Sequence, residues 1–459
     1  MKFTQYYLDC LSHASYLIGD DTTGRAVVVD PRRDVTEYLD DAAEAGLTIE
    51  LVIETHFHAD FLSGHLELAG ATGAQIGYGE AADAEFPIRR LRDGERISLG
   101  DVTLEILATP GHTPESISVV VYERAADVVP YGVLTGDTLF IGDVGRPDLL
   151  VSTGVTADQL ASQLYASLHT KLLTLPDATR VFPAHGAGSA CGKNLSTETV
   201  STIGEQRSAN YALAPMTVED FVAVVTEGQS APPGYFAYDA SLNRQLHELL
   251  DEADPPPRLS VDEVVRRQEA GATVVDTRDA ADFAAGHLRG AINVGAGGRF
   301  AEYVGRVVEP GTPIVLVSED DAAATEAKVR LGRIGFDSVV GHLDRPLASF
   351  VERPDLVAPS SRLTAEQLAS RRQELDDLVV VDVRNPGEVR LGAVPGAVPI
   401  PVGDLRTRLG DLDPSRPTVV YCAGGYRSIL ASSLLAANGF ADVSDLLGGY
   451  AAWAAGGGA

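Results

Sequence analysis

One block of this chain occurs twice. Residues 274–294, VVDTRDAADFAAGHLRGAINV, align without a gap on residues 380–400, VVDVRNPGEVRLGAVPGAVPI, 106 positions later. Asp276/Asp382, Arg278/Arg384, Gly286/Gly392 and Gly290/Gly396 coincide. Further on, PIVLVSEDD (313–321) falls on PTVVYCAGG (417–425) at a shift of 104. Each copy mixes β-branched runs with helical stretches. A period this long is domain duplication, because solenoid repeats are far shorter. The chain, at 459 residues, is too long for one ordinary core and divides into 1–250, 258–356 and 360–459. The first joint is LLDEADPPPRL (249–259), whose consecutive prolines cannot continue a helix, and the second is RPDLVAPSSRL (353–363).

Composition narrows the class. No run of eighteen apolar residues exists, so no transmembrane helix is expected. The opening MKFTQYYLDCLSHASYLIGD reads as a first strand and not as a signal peptide. Cys10, Cys191 and Cys422 are far apart and form no disulfide framework, which suits a reducing cytoplasm. A net charge of −29 argues against a nucleic-acid role, since phosphate binding needs a basic footprint.

The first block carries β-type runs at 26–30, 50–56, 102–110, 117–122, 133–137 and 180–185, and a helical period over 156–175. Metal-ligand types recur where these runs end: His56, His58 and Asp60 in THFHADF (55–61), His112 in TPGHT, Asp137 in TGD and His185 in PAHG. A lone HxH is more often two loop histidines. Four such sites in order, each behind a strand, point to a metal held at one sheet edge. Imidazole and carboxylate suit zinc, iron or manganese. Arg146 in FIGDVGRPD could fork an anionic substrate or pair with Asp148. Cys191 could meet a substrate or be a small buried thiol. Cys10 reads as core, and His13 is undecided.

The series HxHxD … PGHT … GDTLF … PxHG resembles the metallo-β-lactamase superfamily. The resemblance implies an α/β fold for the first block, an αββα sandwich with its site at one edge. In the superfamily's two-metal hydrolases the first motif ends in a further histidine; here that position is Phe61, which cannot donate a lone pair. A site trimmed to one ion resembles the persulfide dioxygenase branch. That implies one Fe(II) per chain held by His56, His112 and Asp137, with His58, Asp60 and His185 orienting ligands and bound water. Fusion members of the branch carry an ACGK stretch like the one around Cys191.

In the last copy, VVYCAGGYRSILASSLLAANGF ends a strand at Cys422, beside a glycine-bearing loop and a helix start. Backbone N–H groups there favour a thiolate, and Arg427 is expected to add positive charge at the mouth. The pattern is similar to the rhodanese family, in which the matching cysteine carries sulfane sulfur. The usual GHIPGA turn reads GAVPGA (392–397) here, so a histidine is missing. The middle copy has Ser318 at the cysteine position, followed by Glu319, Asp320 and Asp321, so it is expected to be a silent rhodanese-like domain serving as spacer or docking module.

The whole order resembles multidomain persulfide dioxygenase–sulfurtransferase fusions of bacterial sulfide detoxification. The resemblance implies oxidation of a low-molecular-weight thiol persulfide (glutathione, coenzyme A or similar) by dioxygen to sulfite. Cys422 would then form thiosulfate from that sulfite, in a homo-oligomer with no membrane partner. Two other readings stand beside it. A glyoxalase II-like zinc thioesterase predicts about two zinc ions per chain. A non-catalytic sulfane-sulfur carrier predicts that His56→Ala leaves cellular sulfide tolerance unchanged.

Overall fold

The computed structural model describes residues 1–149, 155–229 and 231–456. It divides into two compact units, Met1–Leu250 with Arg333–Gly335, and Asp251–Gly332 with Phe336–Ala459.

In the first unit the opening segment, expected as one strand, is a hairpin of β1 (Lys2–Leu8) and β2 (His13–Gly19), paired antiparallel with Leu8 opposite His13. Cys10 lies in the turn, half-buried, and Ser12 turns the chain with a left-handed φ of 53°. There follow β3 (Arg25–Val29), α1 (Thr36–Glu44), β4 (Thr48–Ile53), α2 (His65–Thr72), β5 (Gln75–Gly79) and β6 (Arg89–Leu91). These six strands form one sheet in chain order, parallel from β3 onward. The second sheet comprises β7 (Arg96–Ser98), β8 (Thr103–Ala108), β9 (Ile117–Tyr122), β10 (Gly132–Gly136), β11 (Arg180–Pro183) and β12 (Ser201–Thr202). Its order is β12-β11-β10-β9-β8-β7. Helix α3 (Ala157–Thr170) enters between β10 and β11.

Strand alternation builds the layers. Val27 and Val29 of β3 meet Val119 and Val121 of β9 between the sheets. Val28 points the other way, onto Tyr38 and Ala42 of α1, and Val120 onto Leu164 and Leu168 of α3. Helix α3 starts at a capping box of Thr156 and Gln159 and buries Leu160, Leu164 and Leu168, four residues apart, on one face. Both faces of both sheets are therefore covered. The result is an αββα sandwich, in which each buried Val or Leu contributes about 1.5–3 kcal/mol.

The second unit holds two parallel five-stranded sheets of one topology. The first has the order Arg258–Leu259, Val339–Leu343, Ile314–Val317, Thr273–Asp276, Ile292–Asn293. The second has the order Ser361–Leu363, Val443–Leu446, Thr418–Tyr421, Val379–Asp382, Val398–Pro399. The repeated residues do the same structural job in both. Arg278 grips Asp276 at 2.6 Å and reaches the Gly286 carbonyl at 2.9 Å; Arg384 grips Asp382 at 2.7 Å and the Gly392 carbonyl at 2.7 Å. Each arginine ties a strand end to the following turn. No helix among the described residues is long and apolar enough to cross a membrane.

Candidate metal centre and candidate nucleophile

The strand ends of the sandwich bring together His56 beyond β4, His112 beyond β8 and Asp137 beyond β10. Asp137 Oδ2 lies 3.5 Å from His112 Nε2 and 3.9 Å from His56 Nε2. All three side chains are buried, and Asp137 Oδ2 has no hydrogen-bond partner among the described residues. The approach needs glycine twice. Gly136 has φ 51°, and a Cβ there would meet Thr55 Oγ1 at 2.6 Å. A Cβ on Gly145 would meet the Asp137 carbonyl oxygen at 1.9 Å.

Each donor is held from behind. His112 Nδ1 faces the Arg146 carbonyl at 2.9 Å, which makes Nδ1 the protonated nitrogen and leaves the Nε2 lone pair toward Asp137. Thr55 Oγ1 sits 3.0 Å from His56 Nδ1 and donates to Asp30 Oδ2 at 2.8 Å. Burial lowers the pKa of both imidazoles, that of His56 far below its ordinary value, and so keeps them neutral. Two neutral imidazoles and a carboxylate with an orphaned oxygen, their ligand atoms within 4.8 Å of one another, fit a divalent cation.

His58 turns off this face. Its Nε2 lies 3.1 Å from Asp30 Oδ1 and 3.6 Å from Glu54 Oε2. His185 sits between two carboxylates, with Nδ1 2.7 Å from Asp137 Oδ1 and Nε2 2.8 Å from Asp60 Oδ2, the second contact poorly aligned for a hydrogen bond. Burial opposes the charge on His185, but Asp137 and Asp60 outweigh it and raise its pKa well above the ordinary value. Burial likewise opposes charge on Asp60, yet His185 holds that carboxyl well below its usual range. His58, Asp60 and His185 form a second potential ligand cluster. Phe61, fully buried, fills the space beside it, its ring 4.3 Å from that of His58 and 4.0 Å from that of His13.

Both candidate arginines pair with a carboxylate, Arg146 in one of the two ways its motif allows. Arg146 closes its fork on Asp148 at 2.6 and 2.8 Å, so the pair, and not the substrate fork, is the geometry found. Cys191 is buried near Asp137 and His185, and burial pushes its thiol well above the ordinary pKa. Sequence reasoning passed over Thr55, Asp30 and Glu115, whose Oε1 accepts from Phe57 N at 3.1 Å; nothing in their local pattern marks them.

In the last domain Cys422 directly follows the strand Thr418–Tyr421, buried, and Gly425 N donates to its Sγ at 3.1 Å. Gly425 takes φ 113° to open the helix Tyr426–Ala437. A Cβ on Gly449 would meet the Cys422 carbonyl oxygen at 2.3 Å, so only glycine lets the chain close under the loop. Arg427, expected to leave its charge at the mouth, makes two 2.7 Å bonds to Glu388. That pair holds the Glu388 carboxyl below its usual pKa and cancels much of the positive charge. Glu388→Gln is therefore expected to free Arg427 and lower the KM for an anionic sulfur donor such as thiosulfate about 2–10-fold in steady-state sulfurtransfer assays. A raised KM would mean that Glu388 only holds the arginine in place. In the middle domain Ser318 takes the equivalent strand-end position, buried and hydrogen-bonded by Thr277 Oγ1 at 2.9 Å.

Comparison with known proteins follows the same division. A family model described as the metallo-beta-lactamase superfamily matches residues 8–185, and one described as a rhodanese-like domain matches 260–352 and 364–456. The mitochondrial persulfide dioxygenase ETHE1 of Bos taurus is 32% identical over 217 residues, covering 46% of this chain and 75% of the relative. A hydroxyacylglutathione hydrolase of Rhodospirillum rubrum is 34% identical over 243 residues, covering 52% and 83%. The crystal structure of a metallo-beta-lactamase from Staphylococcus aureus subsp. aureus COL is 34% identical, with a TM-score of 0.67, over 74% of this chain and 98% of that one.

Proposed function

Since this chain belongs to the metallo-β-lactamase superfamily and carries two rhodanese-like domains, we propose that it is an Fe(II)-dependent persulfide dioxygenase coupled to sulfur transfer at Cys422. The observation that carries this reading is the three-donor face of His56, His112 and Asp137, joined to the likeness to ETHE1. A ferrous ion held there would supply open positions for dioxygen and for the terminal sulfur of a persulfide.

The chain's own residues do the rest. The Arg146 carbonyl fixes the tautomer of His112. Thr55 steadies His56, and His185 holds Asp137 by the oxygen that does not face the imidazoles. In balance, one persulfide R–S–SH, one dioxygen and one water give one thiol R–SH, one sulfite and two protons. At the other site, the Cys422 thiolate takes sulfane sulfur from a second persulfide and releases R–S⁻. Sulfite then attacks the outer sulfur of Cys422–S–SH, giving thiosulfate and the free thiol. Joining the two sites in one chain raises the effective concentration of sulfite near its acceptor. The three cysteines are free, which suits a reducing cytoplasm.

The test is dioxygen uptake by iron-loaded protein with glutathione persulfide. No uptake with the iron intact sinks the reading. A hydrolytic reading has one observation in its favour, the second cluster of His58, Asp60 and His185. Two zinc ions per chain and thioester cleavage would establish it instead.

A further inference from the structure

With Arg146 closed on Asp148, the anionic end of a substrate needs another partner in the first unit. A cavity of about 410 Å³ reaches His112, one of the three metal donors. Its walls are largely apolar, with Phe57, Ala59 and Phe236 among them, and the cation in its lining is Arg244. The Arg244 guanidinium lies over the Phe57 ring at 4.5 Å, and no carboxylate among the described residues pairs with it. Phe57 stands between His56 and His58, so the ring that seats this cation belongs to the metal-binding loop itself. A guanidinium laid on an aromatic face keeps its edge N–H groups free, and apolar walls strengthen any charge-assisted bond they make.

We propose that Arg244 is the anion anchor of this cavity, and that it selects persulfides carrying a carboxylate at the end remote from sulfur. The inference rests on the persulfide reading above for the identity of the reacting end. The lining carries a candidate metal donor, His112, and a cation, Arg244, among largely apolar walls. It therefore suits a ligand that brings a reacting sulfur to one and an anionic group to the other. A single cation matches one carboxylate. The several phosphates of a coenzyme A persulfide would find no comparable set of partners in this lining.

The experiment compares glutathione persulfide with the persulfide of glutathione diethyl ester, which lacks both carboxylates, on the iron-loaded full chain. The wild type is expected to show a KM about 10–100-fold lower for the free acid, with kcat little changed. Arg244→Ala erases that preference by raising the KM for the acid alone, and Arg244→Lys restores part of it, since a point charge replaces the fork. In parallel, calorimetric titration with S-methylglutathione reads affinity without turnover, and Arg244→Ala is expected to weaken it by the same factor. Equal KM values for acid and ester in the wild type, or an Arg244→Ala variant that keeps the preference and the calorimetric affinity, overturns the anchor. If neither persulfide is consumed while iron is intact, the dioxygenase reading fails. The calorimetric comparison still decides whether Arg244 holds the carboxylate.

Discussion

Asp137→Asn is expected to strip the iron from the sandwich domain and abolish dioxygen uptake, while sulfurtransfer at Cys422 continues. The aspartate carries the only negative charge on a face otherwise made of two neutral imidazoles. Its Oδ2 is the atom that both His56 and His112 approach. Asparagine keeps the shape but presents a neutral amide, and it removes half of the carboxylate clasp on His185. Loss of outer partners alone costs about 10–100-fold in metal affinity, so loss of this ligand should exceed about 100-fold. The measurements are iron per chain after dialysis against a weak chelator, dioxygen consumption with glutathione persulfide, and thiosulfate sulfurtransfer as an internal control. A variant that retains its iron and its uptake would remove Asp137 from the ligand set. Loss of sulfurtransfer as well would mean that the substitution had unfolded more than its own site.

The candidate donors stood out because each follows a strand-like run, ELVIE before His56, VTLEILA before His112 and VLT before Asp137, and the core strands stood out by their burial. Val27, Val28 and Val29, or Val119, Val120 and Val121, have no alternation of apolar and polar types, as expected of strands covered on both faces. The duplicated domains were legible for a related reason. Asp276 with Arg278, and Asp382 with Arg384, recur because one side chain must bind both a strand end and the carbonyl of the next turn, which fixes their spacing. What stayed hidden depends on which of several reachable partners a side chain takes. Arg146 has Asp148 two residues away, and Arg427 has Glu388 from a distant helix start; neither motif says whether the fork is open or closed. The opening hairpin was read as one strand because LDCLSHAS is apolar enough to run through, and the left-handed turn at Ser12 carries no glycine to announce it. Arg244 was invisible for the simplest reason. It lies in a segment without strand, motif or charge pattern, and gains its meaning only when folding sets it over Phe57.

Cys422→Ser is expected to leave dioxygen uptake intact and to end the reaction at sulfite. The thiol stands where a strand delivers it to the turn before a helix, its sulfur accepting from Gly425 N and lying 3.7 Å from Ser428 Oγ. A serine hydroxyl there would keep the size and the hydrogen bonds. It cannot hold sulfane sulfur, because oxygen forms no persulfide and no histidine or carboxylate among the described residues is hydrogen-bonded to the Cys422 sulfur. The middle domain already carries this substitution at Ser318 with its strand and helix in place, so the change is one the fold accommodates. Sulfurtransfer should fall by roughly three orders of magnitude or more, on the scale of losing a covalent nucleophile. Product analysis separates the outcomes: the wild type is expected to yield thiosulfate from glutathione persulfide and dioxygen, and the variant sulfite at an equal rate of uptake. If the variant still makes thiosulfate, sulfite is capturing sulfur directly from the small-molecule persulfide, and the two domains share a chain without sharing a reaction. If uptake falls as well, release of sulfite depends on its consumption at Cys422, and the coupling is tighter than proximity alone provides.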